Sequence, residues 1–273
     1  MISQQWLWIT LSFSILSYAW LLWCVVPLQE AAIPVIRFSA PSHGQGPVNP
    51  ISSNATKSRS IPTFIHIPKT GGSSIETALS HRGIYVGRQA FSAKDDRSQR
   101  KYPIKQGHCS EWHSLPLEHI DSSITVVRDP VDRLLSEFCW ERGLKSHRAD
   151  LSCEGLSDWI LHALSNIIAD TNEKYDCHFI PQWEFAQWVD SIIPFCALGT
   201  PHGNKLLAEH FEIANFTMGR ENESESHDRE CKDFIKIVEE ANVTSCISPT
   251  AHAMIQHMYR FDYEYLGKYF TCA

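Results

Sequence analysis

Lys69, Thr70, Gly71, Gly72, Ser73 and Ser74 stand in one run, joining a cation, three hydroxyls and two glycines. Glycines let a backbone turn tightly and approach an anion, and free amides at a helix start present partial positive charge to it. The order differs from G-x-x-x-x-G-K-[ST] because the lysine precedes the glycines, which weakens a generic nucleoside triphosphatase reading. A plain turn before a capped helix is the structural alternative, but glycine pairs of that kind rarely carry an adjacent lysine and hydroxyl cluster. Arg128 and Ser136 form a second candidate pair. An arginine ending a strand and a serine about two turns into the next helix can converge on one phosphate if the helix runs back along the sheet.

Fourteen histidines supply candidate bases near neutral pH, and any one of them is more often structural than catalytic. His108 follows Gln106-Gly107; His66 and His178 are the fallback bases, His66 being poorer because it sits in a strand that should be buried. Cys109 and His113 flank the same loop as His108, but H-C-x3-H fits no standard zinc spacing, so no metal is expected. The stretch Arg88–Lys105 carries six cations against Asp95 and Asp96. Arg97, Arg100 and Lys101 within it are a candidate groove for an anionic acceptor, and a solvated basic loop is the equal alternative.

The elements that must position these groups follow from apolar runs and stop signals. Thr63-Phe-Ile-His66 reads as a short strand, followed by the glycine loop and a helix through Ile75-Glu-Thr-Ala-Leu79. Ser73 and Glu76 match a capping box. Ser123-Ile-Thr-Val-Val127 reads as a second strand, after which Asp129 and Pro130 open a helix with Val131, Leu134, Leu135 and Phe138 on one face. Alternation of this kind predicts an α/β fold with a parallel sheet flanked by helices.

The composition is globular: 273 residues, 43% hydrophobic and 20% charged. A net charge of −7 excludes a generally basic nucleic-acid binder. Residues 6–28 form an almost unbroken apolar run, predicted to be an uncleaved transmembrane signal-anchor behind a short tail at residues 1–5, with a cleaved signal peptide as the competing reading. Residues 29–60, rich in Pro, Ser, Gly and Asn, read as a flexible stem, and 61–273 as one domain. Sequons at Asn54, Asn215, Asn222 and Asn242 suit a chain facing a secretory lumen. So do the eight cysteines outside the apolar run, an even number. Their connectivity is not deducible; Cys139 with Cys153 and Cys231 with Cys246 are the sequence-near pairings, and buried free thiols are the alternative.

Taken together, PKTGGSS and TVVRDPVDRLLSEF resemble the sulfotransferases that use 3′-phosphoadenosine 5′-phosphosulfate (PAPS), specifically the Golgi membrane type that modifies carbohydrate chains. The resemblance implies that Lys69, Thr70, Gly71, Gly72, Ser73 and Ser74 bind the 5′-phosphosulfate, that Arg128 and Ser136 bind the 3′-phosphate, and that the sheet is related to that of P-loop kinases. Gln106-Gly-His108 looks like the segment supplying the catalytic base in heparan sulfate enzymes. Cys177-His-Phe-Ile-Pro-Gln182 looks like their His-Phe-x-Pro-Gln segment near the acceptor, which places His178 and Gln182 there. Met258 to Lys268 resembles the closing Tyr-x-x-Asp helix. The implied reaction is in-line sulfuryl transfer to a hydroxyl of a carbohydrate, with an anionic glycosaminoglycan-like chain favoured, His108 as base and Lys69 steadying the leaving phosphate. The implied setting is a single-pass type II Golgi membrane protein with a luminal domain. A catalytically inactive glycan-binding homologue is one alternative. A Golgi glycosyltransferase is the other, and the absence of any Asp-x-Asp argues against it.

Overall fold

The computed structural model describes residues 62–92, 99–105, 109–143, 150–168, 176–218, 229–240 and 242–272. The expected anchor and stem, and the expected sites at Asn54, Arg97, His108 and Asn222, lie outside these residues. Among those described, no helix is long and apolar enough to cross a membrane.

Three parallel strands form the main sheet in the order β1 (Thr63–Ile65), β4 (Ile120–Val127), β5 (Val189–Pro194). The central strand β4 is buried without interruption from Ser123 to Val127, as expected of a parallel strand covered on both faces. Alternation sorts its neighbours. Phe64, Ile124, Val126 and Ile193 pack on one side with Ile75 and Leu79 of helix α1 (Gly72–Ser80), while Ile65 and Val127 pack on the other with Phe185 and Leu266. A small parallel pair, β2 (Tyr85–Val86) and β3 (Gln99–Arg100), lies apart, with helix α2 (Gly87–Ser92) between its strands in sequence.

A separate helical core joins α3 (Pro130–Gly143), α4 (Cys153–Ile168), α7 (Arg229–Glu240), α8 (Val243–Cys246) and α9 (Pro249–Met258) through Leu134, Leu135, Phe138, Leu156, Ile160, Ile255 and Tyr259. Helix α5 (Trp183–Ala186) precedes β5, and α6 (Pro201–Phe211) follows it, capped by Thr200. A π-helical turn, Asp262–Leu266, closes the fold after α9.

All eight cysteines outside the apolar run are paired, but not as neighbours in sequence. The bonds are Cys109–Cys177, Cys139–Cys231, Cys153–Cys246 and Cys196–Cys272. The sequence-near pairing of Cys139 with Cys153 and Cys231 with Cys246 is therefore wrong. Packing decides the matter: α7 lies against α3 and brings Cys231 to Cys139, and α8 lies against α4 and brings Cys246 to Cys153.

Candidate functional site

The loop after β1 delivers the first cation. Lys69 sits at φ 65°, a left-handed conformation uncommon outside glycine, and Gly71 follows at φ 88°. The turn is fixed by the Thr70 hydroxyl, which donates to the Ile67 carbonyl at 2.8 Å, and by the Ser74 amide, which donates to the Gly71 carbonyl at 3.1 Å. Gly72 has no room for a side chain, since an added Cβ would stand 2.4 Å from the His66 ring.

The expected capping box does not form. Gly71 is the N-cap residue and no side chain caps the helix. Glu76 turns inward, where its carboxylate meets His66 Nδ1 at 2.5 Å and accepts from the Arg88 amide at 3.2 Å. A buried histidine competes for the carboxylate and wins. The Ser73 and Ser74 hydroxyls are consequently without hydrogen bonds among the described residues, Ser73 exposed and Ser74 half-buried beside the glycines.

The second cation comes from the end of β4. Asp129 caps α3 as expected, accepting from the amides of Val131 at 2.8 Å and Asp132 at 3.3 Å, with Pro130 in the first turn. The Arg128 backbone is gripped on both sides by Gln182, whose Oε1 accepts from the Arg128 amide at 2.9 Å and whose Nε2 donates to the Arg128 carbonyl at 2.7 Å. Gln182 is fully buried, and its amide and side chain also donate to Asp262. Its polar atoms are thus engaged in holding Arg128, not turned to an acceptor. The closing Tyr-x-x-Asp segment does the same work: the Tyr259 hydroxyl donates to the Phe179 carbonyl at 3.1 Å and Asp262 accepts from the Trp183 amide at 2.8 Å.

Lys69 and Arg128 are both half-buried, and neither makes an ion pair or a side-chain hydrogen bond among the described residues. Arg128 Nε is a fully buried donor with no partner. Each cation rests on an aromatic face instead: Lys69 Nζ lies 5.2 Å from the centroid of Trp140, and Arg128 Cζ 4.2 Å from that of Phe195. Burial draws the Lys69 ammonium down to about 8, with Glu137 opposing and Arg128 assisting. Burial also lowers Arg128, against the pull of Asp132, Glu239 and Asp129. Ser136 is half-buried, one helical turn before Trp140, and its hydroxyl has no partner among the described residues.

Beside the loop lies a nest of three histidines, each with Nδ1 on a carboxylate. His66 is held by Glu76, His113 by Asp176 at 2.7 Å, and His178 by Glu137 at 2.7 Å. The His113 ring stands edge-on to both others, with centroids 5.0 Å apart in each case. Trp140 lies 5.0 Å from His178, which connects the nest to Lys69. Burial holds His113 down at about 4 despite its bond to Asp176. Burial pushes the Asp176 carboxyl up, but bonds from His113 and Ser110 outweigh it and bring the group to about 2. The pair is therefore a neutral imidazole donating to a carboxylate. His113, Asp176 and His178 are close enough to share a cation, yet Asp176 already accepts from the Ser110 amide, the Ser110 hydroxyl and His113.

Of the other expected acceptor groups, Lys101 is exposed and Arg100 lies in β3; Arg88, in the same basic stretch, lies 5.5 Å over the Trp112 ring. Cys109, the residue after His108, is bonded to Cys177 beside His178. The expected glycosylation sites at Asn215 and Asn242 are exposed.

Sequence reasoning missed Arg133, the buried tie between the two motifs. Its Nε donates to the Pro68 carbonyl at 2.9 Å, Nη1 to Ile180 at 2.9 Å and Nη2 to His178 at 2.5 Å. A signal existed: Arg133, Glu137 and Glu141 recur every four residues beside the apolar stripe of α3, and all three are buried.

Fold and site together define an α/β protein in which a glycine loop and a strand-end arginine set two cations, without ion-pair partners among the described residues, at one edge of a parallel sheet. The chain belongs to the sulfotransferase family, whose family model matches residues 62–269. No curated protein and no solved structure matches it. Membership implies sulfuryl transfer to an acceptor, and the family generally draws on PAPS as donor.

Proposed function

We propose that this chain transfers a sulfuryl group from PAPS to a hydroxyl of a carbohydrate chain, with an anionic glycosaminoglycan-like polysaccharide as the favoured acceptor. One observation carries the reading: Lys69 and Arg128, at the C-terminal ends of adjacent parallel strands, are withdrawn from solvent with no carboxylate in ion-pair reach among the described residues. Unpaired cations in that position cost stability unless an anion completes them. The donor's two anionic ends suit them.

Lys69, Thr70, Gly71, Gly72, Ser73 and Ser74 would hold the 5′ end, where the glycines bring backbone close and the Ser73 and Ser74 hydroxyls are available. Arg128 and Ser136 would hold the 3′-phosphate. When bound, the donor supplies the sulfuryl group and a phosphate leaving group. Lys69 would steady charge on that phosphate, and His108 would take the proton of the attacking hydroxyl, a contribution of about 10²- to 10⁴-fold in rate. Arg97, Arg100 and Lys101 would offer positive charge to an anionic acceptor. The paired luminal-type cysteines and exposed sequons support a type II Golgi membrane protein with its catalytic domain in the lumen.

The test is transfer of label from [35S]PAPS to a panel of glycosaminoglycans and neutral glycans by the full chain in detergent, beside Lys69→Ala and His108→Ala. Label on one glycan, lost in both variants, is the expected result. Transfer undiminished in His108→Ala would remove that residue as base, and no transfer to any acceptor would overturn the catalytic reading.

A further inference from the structure

Phe195 stands where the strand ends meet. The pairing of Val127 with Pro194 in adjacent parallel strands places Arg128 and Phe195 side by side, one residue past β4 and β5. The guanidinium lies 4.2 Å from the ring centroid, and a Cβ added to Gly71 would come within 3.2 Å of the same ring. One aromatic side chain thus touches both halves of the anion site.

The ring is itself well held. The Leu198 amide donates to the Phe195 carbonyl at 3.0 Å, the neighbouring Cys196 is bonded to Cys272, and the ring packs against the sheet core. A carboxylate in this place would also fix Arg128, but it would neutralise the cation and repel a phosphate. An aromatic face attracts a cation without carrying net negative charge.

We propose that Phe195 is a positioning residue for the donor's 3′-phosphate: its ring face seats the Arg128 guanidinium and leaves the arginine's charge for the phosphate. This rests on the donor reading above and adds a residue through which the donor is distinguished from nucleotides lacking the 3′ group.

The experiment is calorimetric binding of adenosine 3′,5′-bisphosphate and adenosine 5′-monophosphate to the full chain, read as the ratio of the two affinities. Phe195→Leu should lower that ratio by about 2- to 30-fold, the range of a cation–π contact. Phe195→Tyr should restore it. In an Arg128→Ala background, Phe195→Leu should change the ratio no further. Phe195→Met, close in volume, repeats the measurement if the leucine variant folds poorly. Equal loss for both nucleotides, an unchanged ratio, or a drop that persists without Arg128 would overturn the proposal alone. A wild-type chain that binds neither nucleotide would overturn the donor reading and the proposal with it.

Discussion

Lys69 departs from what stability alone would select. Burial lowers its ammonium to about 8, so the charge, still the main form at neutral pH, is held at a cost to the fold. Replacing it with methionine should raise the melting temperature of the nucleotide-free chain at pH 7 while weakening bisphosphate binding at least about tenfold, the scale of a lost charge-assisted contact. A variant that melts lower and binds normally would show Lys69 to be structural. Because the cation is the binding form, affinity should fall as pH rises through about 8, and Lys69→Arg should remove that dependence. His113 acts in the opposite range. Its pKa lies near 4 in the folded chain against an ordinary 6.5, so the unfolded chain takes up a proton that the folded one refuses. Stability should therefore drop as pH falls from about 6.5 toward 4, and thermal melts should show His113→Gln losing less than wild type over that window. The cations themselves were legible in the sequence, because Lys69 and Arg128 sit in local motifs. Their aromatic seats, Trp140 and Phe195, were not, since each meets its cation only through tertiary packing.

At the scale of elements, local signals held wherever competition was absent. Asp129 and Pro130 open α3 as their residue types require. Ser73 and Glu76 carry an equally good local signal, but His66 claims the carboxylate and Gly71 takes over the cap. The tight junction between loop and helix makes Gly72 sensitive: His66 is pinned by Glu76 and edge-on to His113, so it cannot retreat from an added methyl. Gly72→Ala should cost about 1–3 kcal/mol of overpacking in a denaturant melt and distort the anion loop. The cysteine pairing escaped sequence reasoning for a related reason, because helices far apart in the chain, not neighbours, bring sulfurs together. Cys153 and Cys246 close a separation of 93 residues, and replacing both with serine should lower unfolding free energy by about 2–5 kcal/mol. An unchanged midpoint would mean the bond adds nothing beyond the packing of α8 on α4.

On the scale of the whole molecule, parallel strands send their C-terminal ends to one edge, and each of the three contributes a part there: β1 the glycine loop with Lys69, β4 Arg128, β5 Phe195. The helical core braces this edge, since Arg133 of α3 reaches the Pro68 carbonyl on one side and the His178 and Ile180 carbonyls on the other. Family membership and the alternation of strand and helix were therefore readable early, whereas the histidine nest and the segments joined by Cys109–Cys177 depend on long-range contacts. The central claim is that Lys69 and Arg128, without ion-pair partners among the described residues, form the donor's anion site. It is tested most directly by calorimetric titration of adenosine 3′,5′-bisphosphate into wild type, Lys69→Ala and Arg128→Ala, with melting curves to confirm folding. The account predicts one site per chain, with affinity reduced at least about tenfold in each folded variant. Wild-type affinity retained in both variants would contradict it.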